Sequence, residues 1–334
     1  MKRYNVAVVG VGAVGIEMLR VLKQRNFPID KLKVFARSER DIDVDSIRYH
    51  VLKIDAQAFR GIDIALFAGT EGEKGAAVTY SPAAIKEGAV VIDNGADFRM
   101  EKDVPLVVPE INPKDAKKHK GIIANPNCCT IQMLIPLWPI HKKLGIKRIV
   151  AATYQAVSGA GRSAVNELKA QTKDLLEGKE VTASAMPQRI AFNVFPHIGG
   201  FQDESYTSEE WKTVRETHKI FHDSKIKITS TCVRVPVVTG HSQAVYIETK
   251  KGISVNKLRE LLKKAPGAEV IDDPGNGRYP LPVFAEGKDS VYVGRIRKDP
   301  FVKNAFWLWI VADNLRKGAA LNAVQIAELL VKSE

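Results

Sequence analysis

The run Asn125-Pro126-Asn127-Cys128-Cys129-Thr130 sets a thiol where an apolar, strand-like segment gives way to a helical one. Gly121 to Ala124 reads as a short buried strand, Asn127 is a good N-cap, and Thr130 to Leu134 opens the helix. Cys128 then falls in the first turn. There, free backbone N–H groups and the positive end of the helix dipole favour thiolate over thiol, which makes a nucleophile near neutral pH. The competing reading is a small buried hydrophobe, as most free cysteines are.

Other residues gain meaning from where they fall. Strands are expected over Thr229–Val237 and Ser242–Thr249, joined at Val238 to His241 by a turn containing Gly240. Arg234, amid Cys232, Val233 and Val235, calls for an acidic partner or an anionic ligand. His241 has the titration range needed to move protons near neutrality. Gln155 lies at the end of a strand that begins at Ile146, and Tyr154 to Arg162 is small enough to let a ligand approach the backbone. Ser208 is read as the N-cap of a helix through His218, on which Glu209 and Lys212 share a face and could simply pair in solvent. His197 is taken as structural.

The elements that position these residues have a recognisable rhythm. Tyr4 to Val9 is a valine-rich strand leading into Gly10-Val11-Gly12-Ala13-Val14-Gly15, after which Ile16 to Lys23 is helical. A strand, a glycine turn and a helix let a pyrophosphate approach the backbone at a helix N-terminus. The second strand, Leu32 to Ala36, ends in Arg37-Ser38, where an NAD site would carry an acid; a guanidinium and a hydroxyl suit the 2′-phosphate of NADP. Asp63–Gly69, Ala76–Lys86 and Val90–Asp93 continue the alternation of a doubly wound parallel sheet, whose ligands bind beyond the carboxyl ends of the strands. Arg99 closes one such loop, Asn94 to Arg99. Pro136 and Pro139 are expected to kink or break the helix after Cys128.

Beyond that helix the βαβ rhythm yields to longer strands. The expected organisation is a dinucleotide-binding domain over 1–127 and a mixed α+β catalytic and dimerisation domain over 128–313, with a C-terminal helix over 314–334 packing back on the first. Asn314 stands near the start of that helix.

The 334 residues carry a net charge of +12, with basic and acidic residues interspersed and no basic block interleaved with aromatics. A positive field around a site for phosphorylated ligands accounts for this charge without nucleic acid. Three cysteines, two of them adjacent, make no disulfide framework and suit a reducing cytoplasm. No uninterrupted apolar stretch is long enough to span a bilayer, and no metal site is expected.

Taken together, these segments resemble the aspartate-semialdehyde dehydrogenase family. The resemblance runs through the glycine turn, Arg37-Ser38, Asp93-Asn94 to Phe98-Arg99, Val107-Val108-Pro109-Glu110, Asn125 to Thr130, Gln155 to Gly161, Glu209 to Lys212, Arg234 to Ser242 and Asp313-Asn314-Leu315. It implies Cys128 as the acyl-forming nucleophile, His241 as the acid/base and Gln155 as the group that orients the acyl chain. Arg99, Lys212 and Asn127 are similar to the family's phosphate set, Arg234 to its carboxylate clamp, and Glu209 to the partner of the substrate amino group. Gly12 to Gly15, Arg37, Ser38, Ser158, Gly159 and Asn314 match cofactor positions.

The implied activity is NADPH-dependent reduction of L-aspartyl 4-phosphate to aspartate 4-semialdehyde, on the route to lysine, threonine and methionine, in a homodimer or dimer of dimers. The chain departs from the family in its shorter Gly10-Val11-Gly12 turn, in Asp97 close to Arg99, and in Cys129 after the nucleophile. N-acetyl-glutamyl-phosphate reductase and a non-catalytic nucleotide-sensing or nucleic-acid-binding relative are the competing classes.

Overall fold

The computed structural model describes residues 2–69, 72 and 75–331, so the last three residues of the expected helix 314–334 lie outside it. The chain forms two compact units, Met1–Pro126 with Ala319–Glu334, and Asn127–Gly318.

The first unit runs β1 (Tyr4–Val9), α1 (Ala13–Gln24), β2 (Ile29–Ala36), β3 (Arg40–Val44), β4 (Ile47–Lys53), β5 (Ile64–Phe67), α2 (Ala76–Lys86), β6 (Val90–Asp93) and β7 (Ile122–Ala124). These strands form a seven-stranded sheet in the order β3-β4-β2-β1-β5-β6-β7. All neighbours are parallel except β3 and β4. The central strands are apolar on both faces because helices cover both, and β5 is buried at all four positions. This is the expected dinucleotide-binding sheet.

The β3–β4 hairpin was not expected. Its turn is Asp45-Ser46, with φ of 49° and 65°, so a left-handed turn is made without the glycine that usually announces one. Its strands alternate exposed charged residues with Ile42 and Val44 in β3 and Tyr49 and Val51 in β4, which pack on the core of the first unit.

The second unit begins with α3 (Cys128–Leu144) and continues through β8 (Ile146–Gln155), α4 (Arg162–Leu176), α5 (Ser208–Phe221), β9 (Lys227–Arg234), β10 (His241–Thr249), α6 (Val255–Lys263), β11 (Ala268–Val270), α7 (Pro282–Ala285), β12 (Val291–Lys298) and β13 (Ala305–Ala312). Its six-stranded sheet has the order β11-β12-β13-β10-β8-β9, with β8/β9 and β11/β12 parallel and the rest antiparallel.

Three expectations need correcting here. α3 runs unbroken through Pro136 and Pro139. The two lost N–H groups are outweighed by burial, since every residue from Cys129 to Leu137 is buried. β9 stops at Arg234 because Pro236 brings no N–H to a ladder, and β8 lies between β9 and β10. The N-cap of α5 is Thr207, not Ser208: the Thr207 side chain accepts from Glu210 N and the Glu210 carboxylate accepts from Thr207 N, the spacing of a capping box.

The chain then returns to the first unit through α8 (Leu321–Val331), which packs on α1. Arg25 Nη2 donates to Glu328 Oε2 across that contact at 2.8 Å. The expected start at Asn314 is not helical. Asp313 Oδ1 instead accepts from Leu315 N and Arg316 N and turns the chain into a π turn at Arg316–Ala320.

Candidate active site

Asn127 caps α3 from an extended backbone, its Oδ1 accepting from Cys129 N at 2.9 Å and from Thr130 N at 3.2 Å. Cys128 is thereby the first residue of the helix. The rest of Asn127 is tied to α5: its backbone N donates to Glu216 Oε2 at 2.7 Å and its Nδ2 to Glu209 Oε1 at 2.8 Å. The same Glu209 oxygen accepts from Gln155 Nε2 at 3.3 Å, while Glu209 Oε2 faces Lys212 Nζ at 3.5 Å. The Glu209–Lys212 pair suggested by spacing therefore forms, but Glu209 is buried and serves as the junction of Asn127, Gln155 and Lys212.

His241 is fully buried at the start of β10. Its Nδ1 lies 3.0 Å from Ala156 N. A backbone N–H can only donate, so Nδ1 presents its lone pair and the neutral ring carries its hydrogen on Nε2. Among the described residues Nε2 has no hydrogen-bond partner. The other side of the same peptide is held by Arg234, whose Nη1 donates to Ala156 O at 2.8 Å. Burial pulls the Arg234 pKa down, and the nearby Glu209 charge opposes that, which supplies the acidic neighbour the sequence called for. Gly159 makes the arrangement possible: a Cβ there would lie 3.1 Å from His241 Cε1 and 3.2 Å from Arg234 Nη1.

The sulfurs of Cys128 and Cys129 and a ring nitrogen of His241 all lie within 4.8 Å of one another. Such a set could hold a soft metal. Here, however, the Nδ1 lone pair is engaged and Nε2 carries hydrogen, so the set suits thiol chemistry better. The neighbouring Cys129 foremost, and then the facing His241, hold the Cys128 thiol well below the ordinary thiol range. Burial, and next the neighbouring Cys128 sulfur, push Cys129 well above it. The two adjacent thiols are thus pushed in opposite directions, Cys128 toward thiolate and Cys129 away from it.

Ser158 and Asn314, both buried, are joined to each other: Asn314 Nδ2 donates to Ser158 Oγ at 3.0 Å, and Asn314 Oδ1 accepts from Gly240 N at 2.9 Å. The sequence reading missed Gly318. A Cβ there would lie 2.9 Å from Cys128 Cβ and 3.0 Å from Gln132 Nε2, so its backbone is seated directly on the reactive turn. A glycine inside a helical pattern is the only trace of this in the sequence.

In the first unit the glycine turn has the form a pyrophosphate needs. Gly10 has φ +99°, and a Cβ there would lie 2.8 Å from Ala68 O. Gly15 likewise has no room for one against Gly10 O. Gly12 caps α1 without a side-chain acceptor, the first turn (Ala13, Val14, Gly15) holds no acid, and the space above Gly12 is open for 4 Å. The amides of that turn can therefore serve an anion. Val11 completes the turn between Gly10 and Gly12.

Arg37 and Ser38 follow β2 on the surface, and Arg40 Nη1 donates to Ser38 Oγ at 2.9 Å, adding a second guanidinium to the pair read from the sequence. Arg99 is buried, with Nε on Asn125 O and Nη2 on Asn94 O, each at 2.9 Å, so it fastens the loop after β6 to the end of β7. Asp97 Oδ1 accepts from Gly72 N. Arg99 belongs to the first unit and Cys128 to the second.

Two family models match the chain, the semialdehyde dehydrogenase NAD binding domain over residues 5–119 and the semialdehyde dehydrogenase dimerisation domain over 137–317. The aspartate-semialdehyde dehydrogenase of Aquifex aeolicus is 54% identical, with 98% of each chain covered. The chain belongs to the aspartate-semialdehyde dehydrogenase family. A Bacillus subtilis aspartate-semialdehyde dehydrogenase is 47% identical over 98% of this chain and 97% of its own. The Vibrio cholerae aspartate semialdehyde dehydrogenase II structure, a complex with ASA, superposes with a TM-score of 0.93 at 44% identity, covering 99% of each chain. Among the described residues of this aspartate-semialdehyde dehydrogenase family member, no helix is long and apolar enough to cross a membrane.

Proposed function

We propose that the chain reduces L-aspartyl 4-phosphate to L-aspartate 4-semialdehyde with NADPH, through a thioester on Cys128. The observation that carries this reading is the convergence of a thiolate-favouring Cys128, the Nε2–H of His241 and the Gln155–Glu209 pair within the second unit. The Cys128 sulfur attacks the acyl carbon; a C–S bond forms, the C–O bond to phosphate breaks, and phosphate leaves with the electron pair. Lys212 and Asn127 meet the phosphate, and the family resemblance alone adds Arg99 to them. Arg234 takes the α-carboxylate through its bidentate fork and Glu209 the α-amino group, so that binding far from the reacting carbon fixes its orientation. Gln155 orients the acyl chain.

Gly10 to Gly15, Arg37 and Ser38 of the first unit hold NADP, the family resemblance alone adding Ser158, Gly159 and Asn314 of the second, and NADPH when bound supplies the hydride that reduces the thioester. His241 keeps the Nε2 hydrogen on the oxygen that bears charge in each tetrahedral state, and collapse of the thiohemiacetal returns the Cys128 thiolate.

One face of the second sheet carries Val150, Ala152, Tyr154, Ala244, Trp307 and Trp309 only partly covered, and a second copy closes it in a homodimer or dimer of dimers, working in the cytoplasm. Phosphate-dependent formation of NADPH from aspartate 4-semialdehyde, compared with NADH, tests substrate, chemistry and cofactor together. Cys128→Ala is expected to abolish turnover while leaving NADP binding intact, and full activity in that variant would remove the mechanism.

A further inference from the structure

Asn127 is held by α5 at two points. Its side-chain Nδ2 donates to Glu209 at 2.8 Å and its backbone N–H to Glu216 at 2.7 Å. Glu209 and Glu216 stand seven residues apart on a helix that packs on α3, so both carboxylates lie on one face, about two turns from each other. Both are buried, Glu216 to 1% exposure. The sequence singles out Glu209 and leaves Glu216 without a role.

The two bonds face different demands during the reaction. Glu209 Oε1 already accepts from Asn127 Nδ2 and Gln155 Nε2, its Oε2 faces Lys212 Nζ, and the proposed substrate brings an amino group to the same carboxylate. Each added donor competes with Asn127 for Glu209. The bond to Glu216 is made by the backbone and meets no such competitor from the substrate. It fixes the peptide plane that leads into Cys128, and with it the direction in which α3 starts. The cap depends on that direction, because Asn127 Oδ1 reaches the N–H groups of Cys129 and Thr130 only from the backbone conformation that Asn127 now holds.

We propose that Glu216 is a positioning residue: by accepting from Asn127 N, its carboxylate keeps the Cys128 turn in place for attack while Glu209 is engaged with substrate. This rests on Cys128 being the nucleophile of the proposed reaction. Glu216 acts through Asn127.

Three substitutions separate acceptor, charge and reach. Glu216→Gln keeps an oxygen for Asn127 N without the charge, Glu216→Asp keeps the charge but draws it back by one methylene, and Glu216→Met fills the same space with no oxygen. With aspartate semialdehyde, phosphate and NADP, kcat is expected to stay within about threefold of wild type for glutamine and to fall at least about tenfold for methionine, with aspartate between them and KM for the semialdehyde little changed throughout. In the substrate-free protein, alkylation of Cys128 by iodoacetamide, located by fragment mass spectrometry, is expected to be about threefold slower at neutral pH for methionine than for glutamine, since a frayed turn gives the thiolate less of the helix N-terminus.

A wild-type kcat in the methionine variant overturns the proposal. So does an equal fall in the glutamine and methionine variants, which would trace the effect to the charge, and so does a raised KM with kcat intact, which would place Glu216 in substrate binding. Thermal melts show which variants are folded; if methionine is not, the order of glutamine above aspartate decides, and equality or reversal overturns the proposal. Labelling needs no substrate, so a protein inactive on aspartate semialdehyde that still shows the expected labelling rates sinks the proposed function and leaves the role of Glu216 standing, whereas equal rates remove that role.

Discussion

Asn127 Nδ2 donates to Glu209 Oε1 at 2.8 Å while Asn127 Oδ1 caps the helix that begins with Cys128, so one side chain couples the reactive turn to the acidic residue of α5. The two ends of that amide can be separated by substitution. Asn127→Ala loses both, at a cost of about 1 kcal/mol for the cap and an expected fall in kcat/KM of at least roughly tenfold. Asn127→Asp keeps an oxygen for Cys129 N but sets a second carboxylate against Glu209. Its melting temperature is expected to stay above that of the alanine variant while its kcat/KM falls at least as far. Thermal melts and steady-state kinetics on the two variants check this.

Cys232 offers a pH prediction free of catalysis. Burial first, and then the Glu209 charge, push its thiol up to about 12. In the unfolded chain it ionises near the ordinary thiol value, so between there and 12 the unfolded state binds fewer protons than the folded one and stability falls as pH rises. The slope is about 1.4 kcal/mol per pH unit for one group. Cys232→Ala should be less stable at neutral pH from the lost packing, yet show a shallower alkaline decline. Urea unfolding of both proteins from pH 8 upward, on the order of four points, checks this. Parallel declines would mean that Cys232 titrates alike in both states.

How far these relationships could be read from residues alone depended on whether they were local. The strand, glycine turn and helix at the N-terminus, the bounds of α2 and β6 and the Asn127 cap all express short-range pattern, and the structure has them where the pattern puts them. Glu209 and Lys212 were legible as neighbours on a helix, but their spacing does not say that the face they share is buried against Asn127 and Gln155. The place of β8 between β9 and β10 is set by long-range pairing. Gly318 leaves only a glycine inside a helical pattern, because its importance lies in what packs on it from almost the other end of the second unit. The unbroken α3 shows tertiary burial overriding the local cost of two prolines.

Gly318 yields a direct test of that packing. Alanine at this position brings a methyl to 2.9 Å from Cys128 Cβ and 3.0 Å from Gln132 Nε2, both at the start of a helix that is buried from Cys129 to Leu137. Neither neighbour can yield freely. Gly318→Ala is expected to destabilise the protein by about 1–3 kcal/mol and to lower kcat more than it raises KM, because the shifted atom is the nucleophile's own carbon. Chemical denaturation and kinetics give the two numbers, and a wild-type kcat would show that the turn can move aside.

Arg40 lies just beyond the Arg37-Ser38 pair, and its guanidinium reaches Ser38 Oγ, whereas Glu39 faces His50 at 3.3 Å. If Arg37, Ser38 and Arg40 together receive the 2′-phosphate, Arg40→Ala should raise the KM for NADPH roughly tenfold, the scale of one charge-assisted hydrogen bond. The KM for NADH, which lacks that phosphate, should stay unchanged. Paired measurements with the two cofactors decide it, and an equal change with both would place Arg40 in the scaffold of the turn.

Arg234 has a harder task than Arg40, because it must serve the Ala156 carbonyl and a substrate at once. Its Nη1 is committed to Ala156 O at 2.8 Å, and the guanidinium is buried, with its affinity for the proton lowered by that burial. A planar fork can hold the carbonyl with one edge and a carboxylate with the other; an ammonium is a single point charge and must choose. Arg234→Lys is therefore expected to raise the KM for aspartate semialdehyde roughly tenfold or more. The His241 peptide partner is left in place, so kcat should fall much less. Steady-state kinetics over a wide semialdehyde range separate the two parameters. An unchanged KM would show that another group holds the α-carboxylate, and a collapse of kcat alone would assign Arg234 to the support of Ala156 and, through it, of His241.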